Sequence, residues 1–252
     1  MAGDQPGRSG SVRCAPGQRE RNRAWLAGNW LTGRHDAILA NPQGLTGAGM
    51  RELLARSRSH HSVCVYCASS MVCDGQYHEV ARRLGGLLAE AGLSVVYGGG
   101  RSGSMGALAE GVLAAGGRVV GIIPRFMQDL EWGHDALSEL HVVEDLRSRK
   151  HEMLTRAFAV VALAGGTGTL EELLEAITLK RLGLFLGPII LVNTGGYYNP
   201  LLSQLAAAID GHFMDARHGD LWTVVTHPES VLQAIANAPE WSAANRGFAV
   251  AR

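Results

Sequence analysis

From residue 61 onward the apolar positions switch repeatedly between short unbroken runs and stripes spaced for a helix. Ser62-Val63-Cys64-Val65-Tyr66-Cys67 reads as a buried strand, and the loop Ala68-Ser69-Ser70 follows it. Between about Tyr77 and Ala91, Val80, Leu84, Leu87 and Leu88 share one helical face. Leu93 to Tyr97 predicts a second strand that runs into Gly98-Gly99-Gly100, and Met105 to Ala115 a second helix. Arg118 to Ile123 predicts a third strand, stopped by Pro124. A polar loop leads to the short strand Leu140 to Val143, after which Asp145 is placed to cap a helix from Leu146 to Arg156. The apolar run 158–163 then breaks into glycines, and a helix from about Leu170 to Leu182 follows. The strand Pro188 to Asn193 and two further helical stretches complete the pattern.

Strands that are apolar throughout and alternate with helices predict a parallel sheet covered on both faces. The expected fold class is α/β: a Rossmann-like, doubly wound parallel sheet in one domain, carrying a flexible N-terminal extension. In such sheets ligands bind beyond the carboxyl ends of the strands, where loops turn into helices. Three ends qualify: Ala68-Ser69-Ser70, Gly98 to Gly106, and Ala164 to Thr169.

Residues 1–60 lack a sustained period and are rich in Gly, Arg, Ser and Pro. They are expected to be mostly disordered or loosely attached, with a short helix around Trp25, Leu26, Trp30 and Leu31, and Met50 as an alternative start. The expected domain is 61–240, with 241–252 as a C-terminal tail. The 46% hydrophobic and 18% charged composition of the 252 residues suits a globular protein. Net charge is zero, which gives no general reason to expect nucleic acid or an anionic membrane as partner. That balance conceals nine arginines against four acids in residues 1–60, and only two lysines in the chain, Lys150 and Lys180.

Cys64-Val65-Tyr66-Cys67 has a two-residue metal or redox spacing, but it lies in a β-rich run and no second Cys/His pair completes a site. No metal is expected. Reduced cysteines point to a cytoplasmic protein. No apolar stretch approaches the roughly 20 residues of a membrane span, and no uninterrupted apolar segment near the N-terminus suggests a signal peptide.

The glycine loops carry the chemistry. Gly98 to Gly106 reads GGGRSGSMG, which matches neither G-x-G-x-x-G with its downstream acid nor a Gly-Lys-Ser/Thr phosphate loop. Its glycines still admit a close ligand, and a helix starting near Ser104 or Met105 would aim free N–H groups outward; a tight turn is the plain alternative. In the second loop Gly165, Gly166 and Gly168 permit the turn, while Thr167 and Thr169 offer hydroxyls and a cap. Together the loops suggest a phosphorylated ligand across the switch point. Glu171 and Glu172 fall near that helix start, where the macrodipole favours carboxylates by about 0.3–1 kcal/mol. Successive helical residues point about 100° apart, so only one of the two can face the cleft. Arg147-Ser148-Arg149-Lys150-His151-Glu152 is either a solvated helix face or a cationic rim able to clamp phosphosugar oxygens.

Ala164-Gly165-Gly166-Thr167-Gly168-Thr169-Leu170-Glu171-Glu172 resembles the Pro-Gly-Gly-x-Gly-Thr-x-x-Glu motif of the LOG family, the cytokinin-activating phosphoribohydrolases long mislabelled as lysine decarboxylases. Gly98 to Gly106 is similar to that family's glycine loop, Cys67-Ala68-Ser69-Ser70 to its first-strand ending, and Arg149-Lys150 to the Arg-Lys of its Met-His-x-Arg-Lys element. The likeness runs in order over roughly residues 61–240. It implies hydrolysis of the N-glycosidic bond of N6-modified adenosine 5′-monophosphate to free base and ribose 5-phosphate, without a cofactor. It implies Arg149 and Glu172 as the catalytic pair. Ser69, Gly98, Gly99, Gly103, Met105, Gly106, Lys150, Gly165, Gly166, Thr167, Gly168 and Thr169 are the implied substrate-binding residues, and a homodimer or larger homo-oligomer the implied assembly. A non-catalytic adenine-nucleotide-binding or sensing module of the same superfamily is the alternative. Two positions depart from the family: Ala164 replaces its proline, and Leu146-Arg147 its Met-His. A decarboxylase using pyridoxal phosphate would need a Schiff-base lysine, for which only Lys150 and Lys180 are available.

Overall fold

In the computed structural model the described residues are 61–130 and 132–249. The expectations for residues 1–60, and for the last three residues of the tail, lie outside them. Seven strands form one sheet: β1 (Ser62–Tyr66), β2 (Ser94–Tyr97), β3 (Val119–Pro124), β4 (Glu139–Val143), β5 (Ala159–Ala162), β6 (Ile189–Val192) and β7 (Thr223–Val225). All neighbours pair in parallel, in the order β4-β3-β2-β1-β5-β6-β7. The helices are α1 (Gly75–Glu90), α2 (Gly103–Ala114), α3 (Arg125–Asp129), α4 (Leu146–Thr155), α5 (Thr167–Arg181), α6 (Asn199–Asp210) and α7 (Val231–Asn237).

The doubly wound arrangement follows from strands that bury both faces. Val63, Val65 and Cys67 of β1 and its extension join Val95, Tyr97, Val161 and Val192 in a core closed by Leu84 and Leu88 of α1, Leu108 and Val112 of α2, and Ile235 of α7. The alternate residues Cys64 and Tyr66 are also buried, on the opposite face. At roughly 25 cal/mol per Å² of apolar surface removed from water, such a core supplies the main driving force for folding.

Chain order runs outward from β1 to β4, then returns to the other side of β1 as β5. The order in which strands are added across the sheet therefore reverses between β1 and β5, which is where such sheets leave a crevice. Register brings Val65 level with Tyr97 and Tyr66 level with Ala162. All three loops singled out above consequently emerge side by side.

Two elements escaped the pattern of the sequence: β7, three residues long, and α3, five. Neither is long enough to establish a period. Three helix starts are earlier than expected. α1 begins at Gly75 rather than about Tyr77, α2 at Gly103 rather than near Ser104 or Met105, and α5 at Thr167 rather than near Leu170. The last has Gly166 as N-cap without any side-chain capping bond, so the threonines do not cap it. Glu171 and Glu172 accordingly lie beyond the first turn, and the macrodipole does little to hold them. Residues 243–248 form a short 3-10 helix, and Trp241 and Ala249 beside it are buried.

Candidate active site

Arg149 projects from the first half of α4 toward the carboxyl ends of β2 and β3. Its Nε donates to the Ile122 carbonyl at 3.1 Å and its Nη2 to the Gly98 carbonyl at 3.0 Å. This seat for the guanidinium depends on glycine at 98, because a Cβ there would lie 1.8 Å from Nη2 and displace it. Nη1 remains 3.7 Å from Oε1 of Glu172, one third of the way along α5. Glu172 is only 8% exposed. Burial pushes its carboxyl up to about 7, with Arg149 pulling in the opposite direction and failing to overcome it. The result is a buried acid poised near neutrality beside a cation whose other donors are engaged by backbone, an arrangement suited to proton transfer or to stabilising positive charge.

The neighbouring residues form a second, outer pair. Lys150 bonds to Glu171 and lies 2.8 Å from Glu175. Those acids hold its ammonium above its ordinary range. The 100° step between Glu171 and Glu172 thus separates an exposed structural pair from a buried one. Lys150 is at the rim, tied to carboxylates.

The glycine loops differ more than their sequences suggest. At the first, Tyr97 Oη donates to the Gly100 carbonyl at 3.1 Å. The Gly103 amide donates to Met71 Sδ at 2.9 Å, and the Met105 amide to the Ala68 carbonyl at 3.1 Å. Gly103 adopts φ +61° and packs on the chain at Ser69 and Ser70, where a Cβ would fall 2.4 Å from the Ser70 carbonyl oxygen. Gly106 packs equally tightly on the Arg101 carbonyl. Gly99 is buried against Ile122 and Ile123. Hence this loop grips the end of β1 and seats Arg149, and two of its amides are spent doing so.

At the second loop Gly165 is buried against Thr169, itself buried, whereas Gly166, Thr167 and Gly168 are exposed. The N–H groups of the first turn of α5 have no acceptor within the helix and can receive an anion. Ser69 is exposed and Met105 half-buried on the opposite wall. The structure therefore brings Arg149, Glu172 and the three loops to one crevice, with Lys150 beside it.

A cavity of about 350 Å³ lies between α4 and α5 on the Lys150 side, with Tyr66, Leu154, Ala176 and Leu179 in its lining together with Arg147 and His151. Sequence reasoning missed this cavity, and it missed two tyrosines. Tyr197 donates to the Gly165 carbonyl, and Tyr198 to the Leu163 carbonyl at 2.6 Å. The clue was Gly195-Gly196-Tyr197-Tyr198-Asn199-Pro200, a glycine turn at the carboxyl end of β6. Among the described residues no cluster of three or more His, Cys, Asp or Glu is placed to hold a metal, and no helix is long and apolar enough to cross a membrane. Cys64, Cys67 and Cys73 are free thiols.

Fold and crevice define an α/β domain of the kind that binds phosphorylated ligands at a switch point. Residues 105–235 match the family described as "Possible lysine decarboxylase". Among relatives, cytokinin riboside 5′-monophosphate phosphoribohydrolase LOG7 of Arabidopsis thaliana is 42% identical over 152 residues, 60% of this chain and 70% of that one. The probable phosphoribohydrolase LOGL6 of Oryza sativa subsp. japonica is 35% identical over 190 residues, 75% and 76% of the two chains. The X-ray structure of TM1055 superposes with a TM-score of 0.55 at 32% identity, over 69% of this chain and 97% of that one. The chain belongs to this family, that of the LOG proteins.

The family's decarboxylase description implies pyridoxal phosphate, and the lysines do not fit it. A Schiff base needs an accessible, readily deprotonated amine. Lys150 is held charged by Glu171 and Glu175. Lys180, whose amine burial lowers to about 8, is 1% exposed.

Proposed function

We propose that this protein is a phosphoribohydrolase that cleaves the N-glycosidic bond of adenosine 5′-monophosphate and its N6-modified forms, releasing free base and ribose 5-phosphate. The observation that carries this reading is the buried Glu172 beside Arg149 at 3.7 Å, next to the open first turn of α5. The activity named for the Arabidopsis and rice relatives supports it. Gly166, Thr167, Gly168 and Thr169 would hold the 5′-phosphate by backbone N–H groups, and Gly165 would allow the turn. Ser69, Gly98, Gly99, Gly103, Met105 and Gly106 would form the facing wall, with Lys150 at the rim.

Breaking the C1′–N bond builds positive charge on the ribose, which the Glu172 carboxylate would stabilise. The C1′–N bond breaks as water adds to C1′; Glu172 takes one proton from that water, and the same proton passes to the nitrogen of the departing base, which leaves as the neutral heterocycle, the acid–base logic of glycoside hydrolysis. Arg149 would orient the ribose or assist departure of the base. A domain of residues 61–240 would suffice for this chemistry, in the cytoplasm, where free thiols persist. Leu146 of α4 and Leu174 of α5 are exposed apolar residues flanking the site, and a homodimer through this face would cover them.

Incubating the protein with adenosine 5′-monophosphate or its N6-isopentenyl derivative and separating products by chromatography tests the proposal. Free base and ribose 5-phosphate are expected. Tight binding without base release would instead establish a nucleotide-binding or sensing module.

A further inference from the structure

Ala164 stands where the family motif carries a proline, and a proline would hold φ near −65° at the point where β5 becomes the glycine loop. The structure brackets this residue in another way. Leu163 and Gly165, its two neighbours in the chain, each give their carbonyl oxygen to a tyrosine hydroxyl. Tyr198, 0% exposed, donates to Leu163 at 2.6 Å, and Tyr197, 37% exposed, donates to Gly165.

Both tyrosines are themselves braced. The Tyr198 amide donates to Asn193 Oδ1 at 2.7 Å, and Asn193 Nδ2 to Asn199 Oδ1 at 2.9 Å. Gly195 and Gly196, at φ +59° and +77°, make the turn that delivers them. The Tyr197 ring meets Tyr198 edge-on at 5.2 Å and Tyr77 of α1 at 6.0 Å. Aromatic pairs in this geometry add stability beyond their buried area. A rigid platform at the end of β6 therefore grips the entry of the glycine loop at the carbonyls on either side of Ala164.

We infer that Tyr197 and Tyr198 are positioning residues that hold the Ala164–Thr169 loop in its anion-receiving conformation, at a point where Ala164 does not supply the rigidity of a proline. The inference rests on the phosphoribohydrolase reading for its ligand, but the ordering of the loop is independent of it. Tyr197→Phe keeps the half-exposed ring and removes one donor, leaving the buried Gly165 carbonyl unpaired. Amide exchange at Leu170, whose N–H donates to the Gly166 carbonyl at 3.0 Å, should then accelerate on the order of tenfold. KM for adenosine 5′-monophosphate should rise about tenfold while kcat stays within about threefold, because the loop holds phosphate in ground and transition states alike. Adding Ala164→Pro should return most of the lost affinity. Tyr198→Phe should act in the same direction with an added loss of stability.

Unchanged exchange and unchanged KM in Tyr197→Phe would overturn the assignment, and these measurements decide the matter even if Ala164→Pro fails to fold. The two readings fail separately. Accelerated exchange in a protein that releases no base upholds the loop assignment and removes the enzymatic reading. A fully active wild type whose Tyr197→Phe variant behaves identically removes only the tyrosines.

Discussion

The two glycine loops look interchangeable in sequence and are put to different uses by the fold. Gly98 to Gly106 turns its amides inward, onto Ala68 and Met71, and its first carbonyl onto Arg149. Ala164 to Thr169 turns the Gly165 carbonyl inward, onto Tyr197, just after the Leu163 carbonyl held by Tyr198, and leaves the amides of the α5 first turn outward. Glycine content alone therefore does not mark a phosphate site. What decides is which backbone groups neighbouring elements have already claimed. A loop whose donors are spent can only shape the cleft, whereas one whose acceptors are spent is left with donors for an anion.

The largest effect expected from this division is on the α5 side. Glu172→Gln keeps shape and removes the charge, and base release should fall by on the order of 10³-fold with the fold intact by circular dichroism. A rate equal to wild type would remove Glu172 from the mechanism. The first loop should matter through Arg149 instead. Gly98→Ala places a methyl 1.8 Å from Nη2, so the guanidinium must leave its seat. We expect kcat to drop roughly 10–100-fold, since a displacement of about 1 Å at a catalytic group costs that much. A change confined to KM would show that this loop holds phosphate after all.

The pH dependence sharpens the same comparison. If ionised Glu172 is the working form, kcat/KM rises as pH passes through about 7, and the Gln variant loses that limb. Stability moves the other way. The folded carboxyl is raised above its unfolded value, so the native state binds the proton that the unfolded state has released. The contribution of this group is fully present below the usual carboxylate range and is lost as pH rises through about 7, by on the order of 1–3 kcal/mol. Denaturant melts at pH 5 and pH 8 read this difference, and Glu172→Gln should flatten it. The smallest effect belongs to Met71→Leu, which removes the sulfur acceptor of the Gly103 amide. A destabilisation of about 0.5–1 kcal/mol with KM within about twofold is expected. A large rise in KM would mean that the Gly103 amide reaches the ligand.

The parallel sheet was legible because its strands are apolar on both faces and its helices long enough to show a period. β7 and α3 were not, being too short to display one. The Arg149 and Glu172 pairing was legible only through motif resemblance, since from local sequence Glu171 and Glu172 are equivalent acids. Burial of one and exposure of the other separates them: Glu171 has a side chain 60% exposed and bound to Lys150, while Glu172 is closed in beside Tyr66 and Arg149. The α5 start was misplaced by three residues because its N-cap, Gly166, leaves no side-chain signal, and the α2 start because Ser102 caps it without a side-chain bond.

By itself the sequence determined an α/β sheet, the three strand ends at which a ligand can bind, and the residue types gathered there. Tertiary structure alone decided which glycine loop keeps its amides free, which glutamate is dehydrated, and that tyrosines 32 and 35 residues downstream of the carbonyls they bond brace the loop. The reason is physical. Strand and helix formation depend on local periodicity, whereas hydrogen-bond partners and desolvation depend on contacts that exist only once β1, β2, β5 and β6 lie side by side.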